Sequence, residues 1–121
     1  MSKKILFIED EMKLHKVFEQ VFKKEDFELI SAYDGENGLR LAEEKYPDLI
    51  LLDLILPKKH GFDVLDNLKK NPRLSNIPVI VLTNLEGPAD IEKALSSGAQ
   101  AYLIKTSYSM EEIMKKIKEF L

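Results

Sequence analysis

Glu9, Asp10 and Glu11 in one run, followed at long intervals by Asp53, Thr83 and Lys105, are side chains from which a phosphate-handling site can be built, and each group closes a short apolar stretch. Carboxylates brought together repel, by roughly 4 kcal/mol for a pair about 4 Å apart at an effective dielectric near 20. A hard cation relieves that repulsion. Oxygen donors with neither cysteine nor histidine among them favour magnesium (Mg2+), which keeps several waters and binds through a few carboxylates plus a phosphate. Calcium loops need a different spacing. An ammonium opposite the cation, here Lys105, supplies a mobile point charge able to hold a phosphoryl oxygen.

For these groups to meet, the fold has to bring distant strand ends to one edge. Short β-rich apolar runs at residues 5–8, 27–31, 49–52, 79–82 and 101–104 alternate with longer segments of helical period. That alternation predicts an α/β fold, a flavodoxin-like doubly wound five-stranded parallel sheet with helices on both faces and strand order 2-1-3-4-5, although periodicity alone leaves the order open. In such sheets ligands gather at the carboxyl ends of the strands. Strands one, three, four and five would be neighbours, so Glu9, Asp10, Asp53, Thr83 and Lys105 should converge. Leu14, Val17, Phe18, Val21 and Phe22 recur at three- and four-residue spacing, as do Ile113, Met114, Ile117 and Leu121, and both stripes are read as core faces. Asp34 before Gly35, Pro88 after Gly87, and Ser109 with Glu112 mark helix starts, and Gly98 ends the fourth helix. His15 and His60 are read as solvent-facing side chains, and Lys58-Lys59 as a solvated pair.

Composition narrows the class. A chain of 121 residues with 45% hydrophobic content suits one compact domain, expected over 1–121 with no effector domain following. A net charge of −3 with 32% charged residues provides no basic field for nucleic acid. The absence of cysteine excludes a disulfide framework and thiolate metal sites. The first apolar stretch is too short to span a membrane and unlike a secretory leader, so a cytoplasmic location without membrane insertion is expected.

The segments Ile5-Leu6-Phe7-Ile8-Glu9-Asp10-Glu11 and Asp48-Leu49-Ile50-Leu51-Leu52-Asp53 carry a closer likeness. With Leu56-Pro57, Gly61, Val81-Leu82-Thr83, Gly98-Ala99 and Ala101-Tyr102-Leu103-Ile104-Lys105, in this order and spacing, the chain from Lys4 to Leu121 resembles the response-regulator receiver family of two-component signalling. The resemblance implies that Asp53 accepts a phosphoryl group from a phosphohistidine of a histidine kinase or histidine phosphotransfer protein. Asp10 and Asp53 would ligate Mg2+ directly, Glu9 by a longer reach or through water, with the backbone carbonyl of Ile55 completing the protein ligands. Lys105 would neutralise charge on the phosphoryl oxygens, and Thr83 would donate its hydroxyl to one of them. That movement would leave space for Tyr102 and report the event on the surface of the fourth helix, fifth strand and fifth helix to a downstream protein target. It also implies a phosphoacceptor signalling domain, not an enzyme acting on outside substrates. Ile55 and Leu85, apolar where the family flanks the phosphoryl group, would offer an attacking water no hydrogen bond.

Four departures stand out. Glu9 replaces the commoner aspartate, Lys58-Lys59-His60 fills the loop after the acceptor, and Asn84 is bulkier than the residue often found there. Lys105 is followed by Thr106, where the family has a proline after a cis bond; a non-proline cis bond costs about 2.5–4 kcal/mol, so a trans peptide and a less tightly aimed Lys105 are expected. Two other classes compete. An aspartyl-nucleophile phosphatase would want Asp-x-Asp where the chain has Asp10-Glu11-Met12, and a nucleotide site would want a glycine-rich phosphate loop, which is absent. A degenerate receiver serving only as an interaction module would lack the principal chemical positions present here.

Overall fold

Residues 49–52 and 79–83 are apolar along almost their whole length, with no exposed face to spare, and a strand of that kind belongs in the middle of a sheet covered on both sides. The computed structural model describes residues 2–121 and places them there. Its elements are β1 (Lys3–Ile8), α1 (Met12–Lys24), β2 (Phe27–Ala32), α2 (Gly35–Lys45), β3 (Leu49–Leu52), α3 (Gly61–Lys70), β4 (Val79–Thr83), α4 (Pro88–Ser96), β5 (Ala101–Ile104) and α5 (Met110–Glu119). The strands form one parallel sheet in the order β2-β1-β3-β4-β5. β3 and β4 are buried at every residue, whereas the edge strands β2 and β5 are partly exposed. The flavodoxin-like doubly wound architecture expected from the alternation is the one observed.

Alternate residues of each strand feed two apolar layers. Leu6, Ile8, Ile50, Leu52 and Val81 pack with Val64, Leu65 and Leu68 of α3 and Ala94 of α4. Ile5, Phe7, Leu49, Leu51 and Ile80 pack with Phe18 and Phe22 of α1 and with Ile113, Met114 and Ile117 of α5. Each Val, Leu, Ile, Phe or Met side chain among these contributes about 1.5–3 kcal/mol when fully buried.

The helices start where the capping residues sit. Asp34 accepts from the Asn37 amide at 2.8 Å, Pro88 occupies the first turn of α4, and Ser109 and Glu112 form the reciprocal capping box of α5. Past α4, Gly98 takes φ +107, a left-handed conformation that favours glycine.

One helix face differs from the expectation. In α1 the buried residues are His15, Phe18 and Phe22, while Val17 is 48% exposed and Leu14 and Val21 are half-buried. The stripe is therefore rotated towards His15, which is buried rather than solvent-facing, because an imidazole with both nitrogens bonded can sit inside without penalty. His60 is exposed as expected, and its Nδ1 accepts from the Phe62 amide at the start of α3. Lys58 and Lys59 are exposed and half-buried respectively.

Candidate functional site

Register aligns the strand ends. Ile8 pairs with Ala32 and Leu52, and Thr83 with Ile104, so the residues that follow emerge side by side at the carboxyl edge. The Asp53 amide donates to the Ile8 carbonyl at 3.0 Å, and the Glu9 amide to the Ala32 carbonyl at 3.0 Å, extending the ladder one step past the strands. The loop after β3 then folds back tightly: the Gly61 amide bonds the Leu54 carbonyl, and a Cβ on Gly61 would lie 2.3 Å from the Leu54 Cα. Only glycine permits that approach, which holds the loop carrying Ile55 beside Asp53.

The result is a cleft of about 390 Å³ lined by Glu9, Asp10, Glu11, Asp53, Ile55, Asn84 and Lys105. Carboxylate oxygens of Glu9, Asp10 and Asp53 lie within 4.8 Å of one another. Glu9 and Asp53 are buried, at 1% and 4% exposure, and Asp10 is exposed at the mouth. Lys105 Nζ donates to Asp53 Oδ2 at 2.8 Å and also pairs with Glu9 Oε1. The remaining oxygens are held by backbone: Asp53 Oδ1 accepts from the Ile55 amide at 3.1 Å and Glu9 Oε2 from the Glu11 amide at 3.0 Å. Burial pushes the Glu9 carboxyl up to about 7, against the pull of its Lys105 and Glu11 hydrogen bonds, and the Asp53 charge adds to the rise. Burial also disfavours the Lys105 ammonium, but its bonds to Asp53 and Glu9 outweigh this and hold it above the ordinary lysine range.

The Lys105-Thr106 peptide is trans, as no cis bond occurs among the described residues. The expected looseness of Lys105 is not found. A short 3-10 turn over Lys105–Ser107 follows β5 directly and delivers the ammonium onto both acids. Thr83, the last residue of β4, is fully buried, and its Oγ1 lies 3.4 Å from the Leu85 amide that donates to it. Tyr102 on β5 is half-buried and donates its hydroxyl to the Leu85 carbonyl at 2.8 Å. Leu85 thus stands between Thr83 and Tyr102. Of the apolar flanking pair, only Ile55, 54% exposed, lines the cleft; Leu85 packs against the core.

Sequence reasoning missed His15. Its Nε2 lies 2.6 Å from the Glu9 carbonyl and its Nδ1 2.8 Å from the Ser31 hydroxyl, with the ring between Phe7 and Tyr33 at centroid distances of 4.6 and 4.5 Å. Burial lowers its pKa, partly offset by the bond to Glu9. The signal was present in the spacing of His15, Phe18 and Phe22, which is three and then four residues.

A family model described as response regulator receiver domain matches residues 5–118. The chain is 34% identical to the polar-differentiation response regulator DivK of Brucella ovis, with 100% of this chain and 98% of that one covered. It is also 34% identical to the probable transcriptional regulator ycf27 of Cyanophora paradoxa, over 99% of this chain but 48% of the relative. The chain thus spans about half the length of several curated relatives it matches. Among solved structures, the Mn(2+)-bound form of response regulator Rcp1 superposes with a TM-score of 0.82 at 35% identity, covering 97% of this chain and 90% of that one. The BeF3-activated N-terminal receiver domain of Klebsiella pneumoniae RstA gives 0.90 at 24% identity, with 98% and 97% covered, a likeness in fold.

Proposed function

The chain belongs to the response regulator receiver domain family of two-component signalling, and from that membership we propose that it accepts a phosphoryl group on Asp53 from a phosphohistidine of a histidine kinase or histidine phosphotransfer protein. The observation that carries this reading is the meeting of Glu9, Asp10 and Asp53 with Lys105 in one cleft.

The donor set fits a hard divalent cation: three carboxylates from two strand ends, no sulfur, no imidazole. Glu9, Asp10 and Asp53 would hold Mg2+, with the Ile55 carbonyl as the further protein donor, and the Mn(2+)-bound relative is consistent with a divalent site. When bound, the cation neutralises charge on the transferring group. An Asp53 carboxylate oxygen attacks phosphorus, the phosphorus–nitrogen bond to the donor imidazole breaks, and that imidazole leaves as the acyl phosphate forms. The Ile55 amide fixes the orientation of the Asp53 carboxylate. Lys105, already within hydrogen-bond reach of Asp53 Oδ2, transfers its ammonium to an equatorial oxygen of the arriving group.

Incubation with a small phosphodonor is expected to add one phosphoryl mass in the presence of Mg2+ and none after chelation. Labelling that ignores the metal, or no labelling with it, would overturn the proposal.

Output is assigned to Thr83 and Tyr102 through Leu85. A Thr83 hydroxyl drawn to a phosphoryl oxygen releases the Leu85 amide, and Leu85 carries the carbonyl that holds Tyr102. Thr83→Ala should therefore still be labelled, within about tenfold of the wild-type rate, or about 1.4 kcal/mol of barrier. Its amide shifts around Leu85 and Tyr102 should respond far less to phosphorylation, whereas an undiminished response would place the coupling elsewhere. In this reading a downstream protein target reads this surface in the cytoplasm. Among the described residues no helix is long and apolar enough to cross a membrane.

A further inference from the structure

The acidic run 9–11 is held by few contacts, and two of them come from side chains: Lys105 on the Glu9 carboxylate and His15 on the Glu9 carbonyl. The Glu9 amide is tied to Ala32, and the Glu11 amide folds back onto the Glu9 carboxylate. The Glu9 carbonyl has no strand partner beyond the end of β1, and it meets His15 Nε2 at 2.6 Å. That carbonyl and the Asp10 amide belong to one planar peptide, so whatever fixes the carbonyl fixes the plane of the peptide that joins the buried Glu9 to the exposed Asp10. A carbonyl only accepts, so Nε2 carries the proton and Nδ1 accepts from the Ser31 hydroxyl at 2.8 Å. With Phe7 and Tyr33 on either side and 3% exposure, the ring has no other orientation available that keeps both bonds.

We infer that His15 is a positioning residue for the cation site: it locks the Glu9-Asp10 peptide so that both carboxylates face Asp53. The inference rests on the divalent-cation reading of that cleft. Hydrogen-bond partners of ligating groups typically change metal affinity by about 10- to 100-fold when removed. His15→Phe retains the ring and its stacking but loses the donor to the carbonyl. In His15→Gln the amide nitrogen stands in for Nε2, whereas in His15→Asn the shorter amide reaches only the place of Nδ1.

The experiment titrates Mg2+ alone into each folded protein, well below its melting temperature. It is followed by the amide shifts of Asp10 and Asp53, since the chain has no tryptophan. Expected are a Kd raised about 10- to 100-fold in His15→Phe and His15→Asn, and recovery to within about threefold of wild type in His15→Gln. Nitrogen NMR of the wild type should show the imidazole proton on Nε2. A His15→Phe protein that binds Mg2+ as tightly as wild type overturns the inference, as does a proton on Nδ1. If His15→Phe does not fold, His15→Gln binding no better than His15→Asn overturns it equally. Wild type that fails to bind Mg2+ at all overturns the cation site beneath it, a result distinct from equal binding by all proteins.

Discussion

Asp53→Asn is expected to abolish phosphoryl uptake, with no added mass under conditions that label the wild type fully. The carboxamide lacks the negative oxygen that attacks phosphorus, and its single oxygen can accept from the Lys105 ammonium or from the Ile55 amide, where the two Asp53 oxygens now serve both. It also removes one of three clustered carboxylates. Rate should fall by a thousandfold or more, roughly 4 kcal/mol of barrier. Thermal melts without metal separate loss of fold from loss of chemistry: the variant relieves carboxylate crowding but weakens the sheltered pair with Lys105, and a variant that is folded yet unlabelled assigns the loss to the missing nucleophile. Labelling retained in Asp53→Asn would move the acceptor to Asp10 or Glu9.

The second large effect is in metal-free stability. Glu9 rises from 4.5 to about 7 in the fold, so between these values the folded protein binds a proton that the unfolded chain has released. The slope of unfolding free energy with pH follows protons bound in the unfolded state minus the folded state, which is negative here. Wild-type stability should fall as pH rises through this window, by roughly 3 kcal/mol. His15 works the other way: its lowered pKa gives stability that is present above about 6.5 and lost as pH falls. Comparison with Glu9→Gln separates the two, because His15 is retained in both proteins. The stability of Glu9→Gln relative to wild type should climb between about pH 5 and pH 8 in chelator. Lys105, raised above its ordinary range, contributes only at much higher pH. Denaturant unfolding at each pH measures the difference, and a difference that stays flat would mean that Glu9 is ionised throughout. Saturating Mg2+ should flatten the wild-type curve, because a bound cation favours the ionised carboxylate.

The sheet was legible because its interior strands are covered on both faces, so β3 and β4 read as unbroken apolar runs with a charged or hydroxyl residue at the end. The site was legible for the same reason: a polar residue closing a buried strand has to lie at the rim. What the pattern concealed were phases and aims. A periodicity count scores histidine as polar, so the α1 stripe was drawn through Val17 instead of His15. Glu9 and Asp10 are adjacent and chemically alike, yet one is buried on Lys105 and the other lies at the mouth. That depends on where the backbone leaves the ladder, which side-chain type does not report. Lys105 was expected to be loosely aimed from the missing proline, but the 3-10 turn after β5 directs it without one.

The two contacts of Lys105 also make the cleft self-neutralising. With its ammonium seated on both buried acids, the protein carries an internal counter-ion, and a divalent ion would add to that charge instead of supplying all of it. Dilute monovalent salt cannot compete for that seat, since a sheltered pair is screened far less than a surface one. The cleft should therefore be nearly blind to ordinary ionic strength, while a divalent ion can enter from the side of the exposed Asp10 and leave the lysine seated on Asp53.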